Sequence, residues 1–173
     1  MSSKKQRIVL GMIFVVFYLP IFTVDGSAGD TKIDRATLKG LKGVEVVIQD
    51  IRSEAQGDGL TKDLLQKDVE LRLRKAGIKV LTMAESLKTP GMPYLYVNIN
   101  TLKEKELYAI NISVELKQGV YLDRNPAINI HAETWSAKSV VMVGANQMKT
   151  HIRESLGNKV DKFINAYFVV NPK

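Results

Sequence analysis

The chain contains no cysteine. That absence excludes disulfides, thiolate metal sites, a cysteine nucleophile and a lipid anchor attached at a cysteine. Histidine is nearly missing as well: His131 and His151 are the only two in 173 residues. A zinc site wants three converging ligands, and no His-Glu-x-x-His or equivalent spacing occurs. No glycine-rich phosphate loop and no nucleophile elbow is found. Neither are internal repeats or low-complexity stretches. The bases are scattered, and the densest cluster, Arg72, Arg74 and Lys75, falls at the end of a predicted helix, where it suits the negative end of the helix dipole. Without interleaved aromatic residues or a known binding motif, nucleic acid is not an expected partner. No metal and no cofactor is expected either.

What is present is ordinary for a globular protein: 45% hydrophobic, 25% charged and 7% aromatic residues. That composition argues against disorder. The start of the chain stands apart. Lys4, Lys5 and Arg7 precede an uncharged run over residues 8–24, followed by Asp25, Gly26, Ser27 and Ala28. A basic start, an apolar middle interrupted by Pro20 and small residues at its end describe a secretory signal, cut after Ala28. The alternative is a retained anchor, since the uncharged run is at the lower limit for crossing a bilayer. An exported chain without cysteine fits the bacterial periplasm better than a disulfide-stapled secreted domain. Loss of residues 1–28 removes three bases and one acid from the 25 and 18 of the chain and leaves a net charge of +5. The expected organisation is therefore a signal peptide at 1–28, a flexible lead-in or one loose helical turn at 29–42, and a single α+β domain at 43–173.

The clearest periodicity lies at residues 107–122. Tyr108, Ile110, Ile112, Val114 and Leu116 alternate with Ala109, Asn111, Ser113, Glu115 and Lys117, the pattern of an antiparallel strand with one face on a core. Strands are also expected at 44–51, 78–81, 94–102 and 128–139, with a further piece at 140–143. Residues 53–59 read as a loop. Thr61 caps a helix over 62–76 that Gly77 stops, and the strand-helix-strand order implies a parallel crossover. Asn146 is expected to cap a long amphipathic helix over 147–169, within which Gly157 points to close packing. The order β-α-β-β-β-β-α predicts a two-layer α+β sandwich, its mostly antiparallel sheet carrying both helices on one face.

The other face would then gather Tyr94, Tyr96, Asn98, Asn111, Ser113, Glu115, Glu133 and Trp135. In this reading Ile99 stands opposite Ile110, Lys117 opposite Glu133, and Glu115 opposite Trp135, a register that avoids opposing two glutamates. Aromatic area with amides and carboxylates suits a protein or an envelope polymer as partner; an ordinary solvated sheet face has the same composition. Glu115 and Glu133 are the only candidates for acid-base work, as a carboxylate pair in a weak hydrolase. An open sheet offers no cleft for that chemistry, so a non-enzymatic binding module acting through this face or a strand edge leads. A membrane-tethered scaffold follows if the leader is retained. The proposed face requires Trp135 and Glu133 to point to the same side.

The stretches LRLRKAGIKV, YLYVNI, ETW and FINAYFVVNP, spread over residues 41–172, resemble small exported bacterial proteins of unknown function. The resemblance implies an envelope location and assigns no activity to any residue.

Overall fold

The computed structural model describes residues 29–172 and the backbone of residues 23–26. Apart from that short piece, the predicted leader lies outside the described residues. The fold is α+β. Strands β1 (Thr23–Gly26), β2 (Val44–Ile48), β3 (Val80–Leu81), β4 (Tyr94–Glu104), β5 (Leu107–Leu122) and β6 (Asn125–Gly144) are joined through helices α1 (Lys32–Ala36), α2 (Ser53–Gly57), α3 (Lys62–Ala76), α4 (Met83–Ser86) and α5 (Met148–Val170). The strands form one open, mixed sheet in the order β1-β6-β5-β4-β2-β3. The pairs β1–β6, β6–β5 and β5–β4 are antiparallel; β4–β2 and β2–β3 are parallel.

Local chemistry accounts for the elements that matter. Thr61 takes the Leu64 amide at 3.3 Å and opens α3. Gly77, at φ +87°, closes it in the left-handed conformation that costs a glycine nothing. Leu65, Val69 and Leu73 line the buried side of α3, and Met148, Ile152, Leu156, Val160 and Phe163 line that of α5. Both stripes join a single buried cluster with Val44, Val46 and Ile48 of β2, Leu95, Val97 and Ile99 of β4, and Tyr108, Ile110, Ile112, Val114 and Leu116 of β5. Gly157 does mark a close approach: a Cβ there would lie 2.7 Å from the Arg72 guanidinium on α3.

Several expectations need correcting. Residues 53–57 form α2 rather than a loop, because Ala55 is wholly buried and its carbonyl takes the Leu60 amide at 3.0 Å. Burial of one small residue outweighs a polar composition. Gln147, not Asn146, is the N-cap of α5, and it makes no side-chain cap bond; the Gly144 carbonyl instead takes the Gln147 amide at 3.0 Å in a backbone turn. Only Lys105 and Glu106 link β4 to β5, with Lys105 at φ +54°. The tight turn sets Ile99 opposite Ile112 instead of Ile110. That slip of two residues leaves every side chain on its expected face.

The largest correction is in β6. It is one strand of 20 residues, and its irregularity falls earlier than the break expected near residue 140. Lys117 pairs with Glu133 and Leu116 with Trp135, so Thr134 is an unpaired extra residue, a β-bulge. Past the bulge β4 soon ends, with Tyr94 opposite Lys117. Beyond that point β5 and β6 continue as a two-stranded arm on which Tyr121, Ile128 and Ile130 are exposed.

Candidate functional site

The face opposite the core is read row by row from the register. Tyr94, Lys117 and Glu133 form one row; Tyr96, Glu115 and Ser136 the next; Asn98, Ser113 and Lys138 a third; Asn100, Asn111 and Val140 a fourth. Seven of the eight expected residues, Tyr94, Tyr96, Asn98, Asn111, Ser113, Glu115 and Glu133, therefore share a face. Trp135 does not. The bulge sets it opposite Leu116, on the core side, where it is 0% exposed. Glu133 and Trp135 thus point to opposite sides, so the eight-residue contact surface expected from the sequence is not formed.

Trp135 has another task. Its ring meets Phe163 of α5 edge-on, with centroids 5.3 Å apart. Its Nε1–H donates to Asp30 Oδ1 at 2.8 Å. Asp30 also takes two bonds of 2.7 Å from the Arg35 guanidinium. That fork from Arg35, with a further contribution from the indole, holds the Asp30 carboxyl below its usual pKa despite partial burial. The tryptophan is the post to which the segment before β2 is tied. Thr37 adds a bond from its hydroxyl to the Thr134 carbonyl at 3.3 Å.

On the outer face Glu115 is the hub. Its carboxylate accepts from the Ser113 hydroxyl at 3.0 Å and lies 3.3 Å from the Lys117 ammonium and 3.5 Å from that of Lys138. Lys138 also donates to Glu133 at 2.8 Å. Burial pushes the Lys138 ammonium toward a lower pKa, but the bond it donates to Glu133 and the charges of both glutamates outweigh it, and the pKa stands above the lysine norm. Lys117 sits over the Tyr96 ring, 4.2 Å from its centroid, a cation–π contact. The Tyr96 hydroxyl donates to Gln49 at 2.8 Å. Tyr94 packs edge-on against Tyr96, 6.5 Å away, and at a tilt against His131, 5.6 Å away. Among these groups Asn98 Oδ1 is shut from solvent with no hydrogen-bond partner.

Lys138 is the member that strand alternation misses, because its place on this face depends on the bulge; Lys117 is already outward by alternation. A signal for the bulge does exist. Ile128, Ile130 and Ala132 occupy even positions, whereas Trp135 and Ala137 occupy odd ones, before residues 140–143 run apolar at both parities. A strand can change phase like that only by gaining or losing a residue.

Elsewhere, a groove of about 610 Å³ between α3 and α5 contains Arg72, Lys75, Lys149 and Arg153 with Asp68 and Glu154. Its two arginines are held across the helices, Arg153 by Asp68 at 2.7 Å and Arg72 by Asp161 at 2.6 Å. Among the described residues no three His, Asp or Glu side chains converge as a metal site would need, and no helix is long and apolar enough to cross a membrane.

The fold and this face define an α+β protein with an open mixed sheet and an ion network on its outer side. Set against known proteins, the chain matches no family model and no curated protein.

Proposed function

We propose that the protein is a non-enzymatic binding module of the bacterial envelope, exported to the periplasm, that receives a protein or polymer partner on the face formed by Tyr94, Tyr96, His131 and Asn98. The observation that carries this reading is the Asn98 carbonyl oxygen, buried and unpaired beside a cluster of aromatic rings. A buried acceptor without a donor costs about 1–3 kcal/mol and calls for an explanation. A turn of the half-buried Asn98 side chain toward a partner's N–H or O–H supplies one. The finer architecture belongs to the same reading: a mostly antiparallel sheet in a two-layer sandwich, with both long helices on the core side, supported by the single buried cluster they share.

The geometry favours binding over hydrolysis. Glu115 and Glu133 share one ammonium, Lys138, and Glu115 has Lys117 besides. A carboxylate pair neutralised in this way supplies neither a proton donor nor an unpaired base. The tethered scaffold stays as the second reading, and β1 favours it: Thr23–Gly26 lies within the predicted leader and yet pairs with β6.

The test is a comparison of exported wild-type protein with the Tyr94→Ala, Tyr96→Ala double variant in chemical crosslinking on whole cells. Loss of a discrete adduct in the variant, with its thermal unfolding unchanged, supports the face. An adduct pattern identical in both proteins sinks it.

A further inference from the structure

The outer edge of β6 is closed by residues that the predicted leader would take away. Thr23–Gly26 runs antiparallel along residues 138–141, with Thr23 beside Val141 and Gly26 beside Lys138. Gly29 continues the cover. Its carbonyl takes the Ser136 amide at 2.8 Å, and a Cβ on Gly29 would stand 3.0 Å from the Ser136 carbonyl oxygen. The Ser136 bond also shows which residues of β6 turn their backbone groups toward this edge. By the alternation of an antiparallel strand they are 136, 138, 140, 142 and 144.

A cut after Ala28 leaves Gly29 in place and strips β1 away. The backbone groups of residues 138, 140 and 142 then face outward without partners, on the segment Ser139, Val140, Val141, Met142, Val143. After Ser139 that segment is apolar, three of its residues being valine, and it has no charge or proline, the composition that recruits another strand. Val140 and Met142 are 50% and 54% exposed, so the apolar surface beside the open edge already exists.

We infer that cleavage of the leader converts this edge into a two-fold interface, at which β6 pairs antiparallel with β6 of a second copy about an axis at Val141. The edge is self-complementary in that register. Val140 stands opposite the partner's Met142, so exposed apolar side chains cover each other. Lys138 stands opposite the partner's Gly144, which keeps the two ammonium groups apart and opposes no like charges. The pair 140–142 joins residues whose backbone groups face this edge, so hydrogen bonds form there in both directions, while at 138–144 the Gly144 carbonyl is already held by the Gln147 amide and its N–H is left to donate. Val141 meets its own symmetry mate as a non-hydrogen-bonded pair, and an isologous contact of this kind closes on itself instead of growing into a fibre. In the uncleaved chain β1 occupies the edge and blocks the contact.

The inference rests on leader cleavage, part of the proposed envelope role, and does not depend on the Tyr94–Tyr96 face. The full-length gene is expressed in a secreting bacterium, and the exported protein is analysed by intact mass and by size exclusion with light scattering. A start at Gly29 with a dimer is expected. Val140→Lys and Met142→Glu, both at exposed positions, should each weaken the dimer roughly 10- to 30-fold through two repeated contacts. The double variant V140K/M142E should recover it, because each lysine then meets the other copy's glutamate. Val141→Cys provides a separate readout. In a chain without native cysteine, a disulfide at that position forms only across the axis, where the Cα atoms would be ~4.5 Å apart and within bridging range. A start at or before Thr23 overturns the inference, since β1 would remain. A monomer starting at Gly29, an assembly larger than two, a dimer indifferent to V140K, or no recovery in the double variant overturns it as well.

Discussion

The ribbon of β5 and β6 has two halves that differ in what supports them. Between Tyr108 and Leu116 it lies between β4 and β1, with the buried cluster on its inner side. Past Lys117 the same two strands continue without β4, and the side chains of Tyr121, Ile128 and Ile130 face solvent. Alternation of apolar and polar residues is present in both halves. What separates them is the bulge at Thr134, which changes the phase of β6 and brings Trp135 into the core. A period of two says that a strand has two faces; it does not say which face is inside, nor where along the strand the inside ends.

Deleting Ser136, just past the boundary at Thr134, shifts the strand by one residue and should have the largest effect. Either Trp135 turns outward as the bulge is lost or residues 137–143 do, and we expect loss of cooperative unfolding in circular dichroism. A deletion variant with a sharp transition would show that the phase of β6 is dispensable. Trp135→Ala keeps the boundary and empties the supported half. It should cost about 3–5 kcal/mol in urea unfolding, since the indole is fully buried against Phe163. Asp30 tests the post from the other end. Its carboxyl titrates below the ordinary 3.8 in the folded protein, so the stabilisation is present above that value and lost as pH falls through the lower folded pKa. Wild type should therefore lose stability more steeply than Asp30→Asn as pH falls below about 4, as read by denaturant midpoints. The smallest effect belongs to the arm. Tyr121 is 67% exposed, and Tyr121→Ala should shift stability by less than about 0.5 kcal/mol. A larger loss would mean that the arm packs on the body of the protein.

The same contrast explains what could be read from the residues alone. The bounds of α3 and β5 were legible because a cap, a stop and a long alternation are local signals, all written within one element. The pairing of β4 with β5 was legible in its faces but not in its register, since moving Ile110 or Ile112 opposite Ile99 leaves the same residues inside; only the conformation of Lys105 decides it. Ser53–Gly57 was missed because its helix is held by one buried alanine, a tertiary fact. Seven of the eight residues expected on the outer face were legible as such, and the inward turn of the eighth, Trp135, was not. Its partners, Asp30 and Phe163, lie 105 residues before it and 28 after it in the chain, too far for any local pattern to join them.

The mixed order of the sheet also sets an order in time. β4, β5 and β6 are joined by two-residue turns and meet after closing loops of almost no length, whereas β2 reaches β4 only after residues 49–93 have been gathered in. Closing that longer excursion costs entropy before any contact compensates for it, so hairpin growth comes first and the parallel strands dock onto a finished edge. Amides of residues 94–144 should gain protection in pulse-labelled refolding before those of residues 44–48. Simultaneous protection of both groups would point to a single concerted collapse instead.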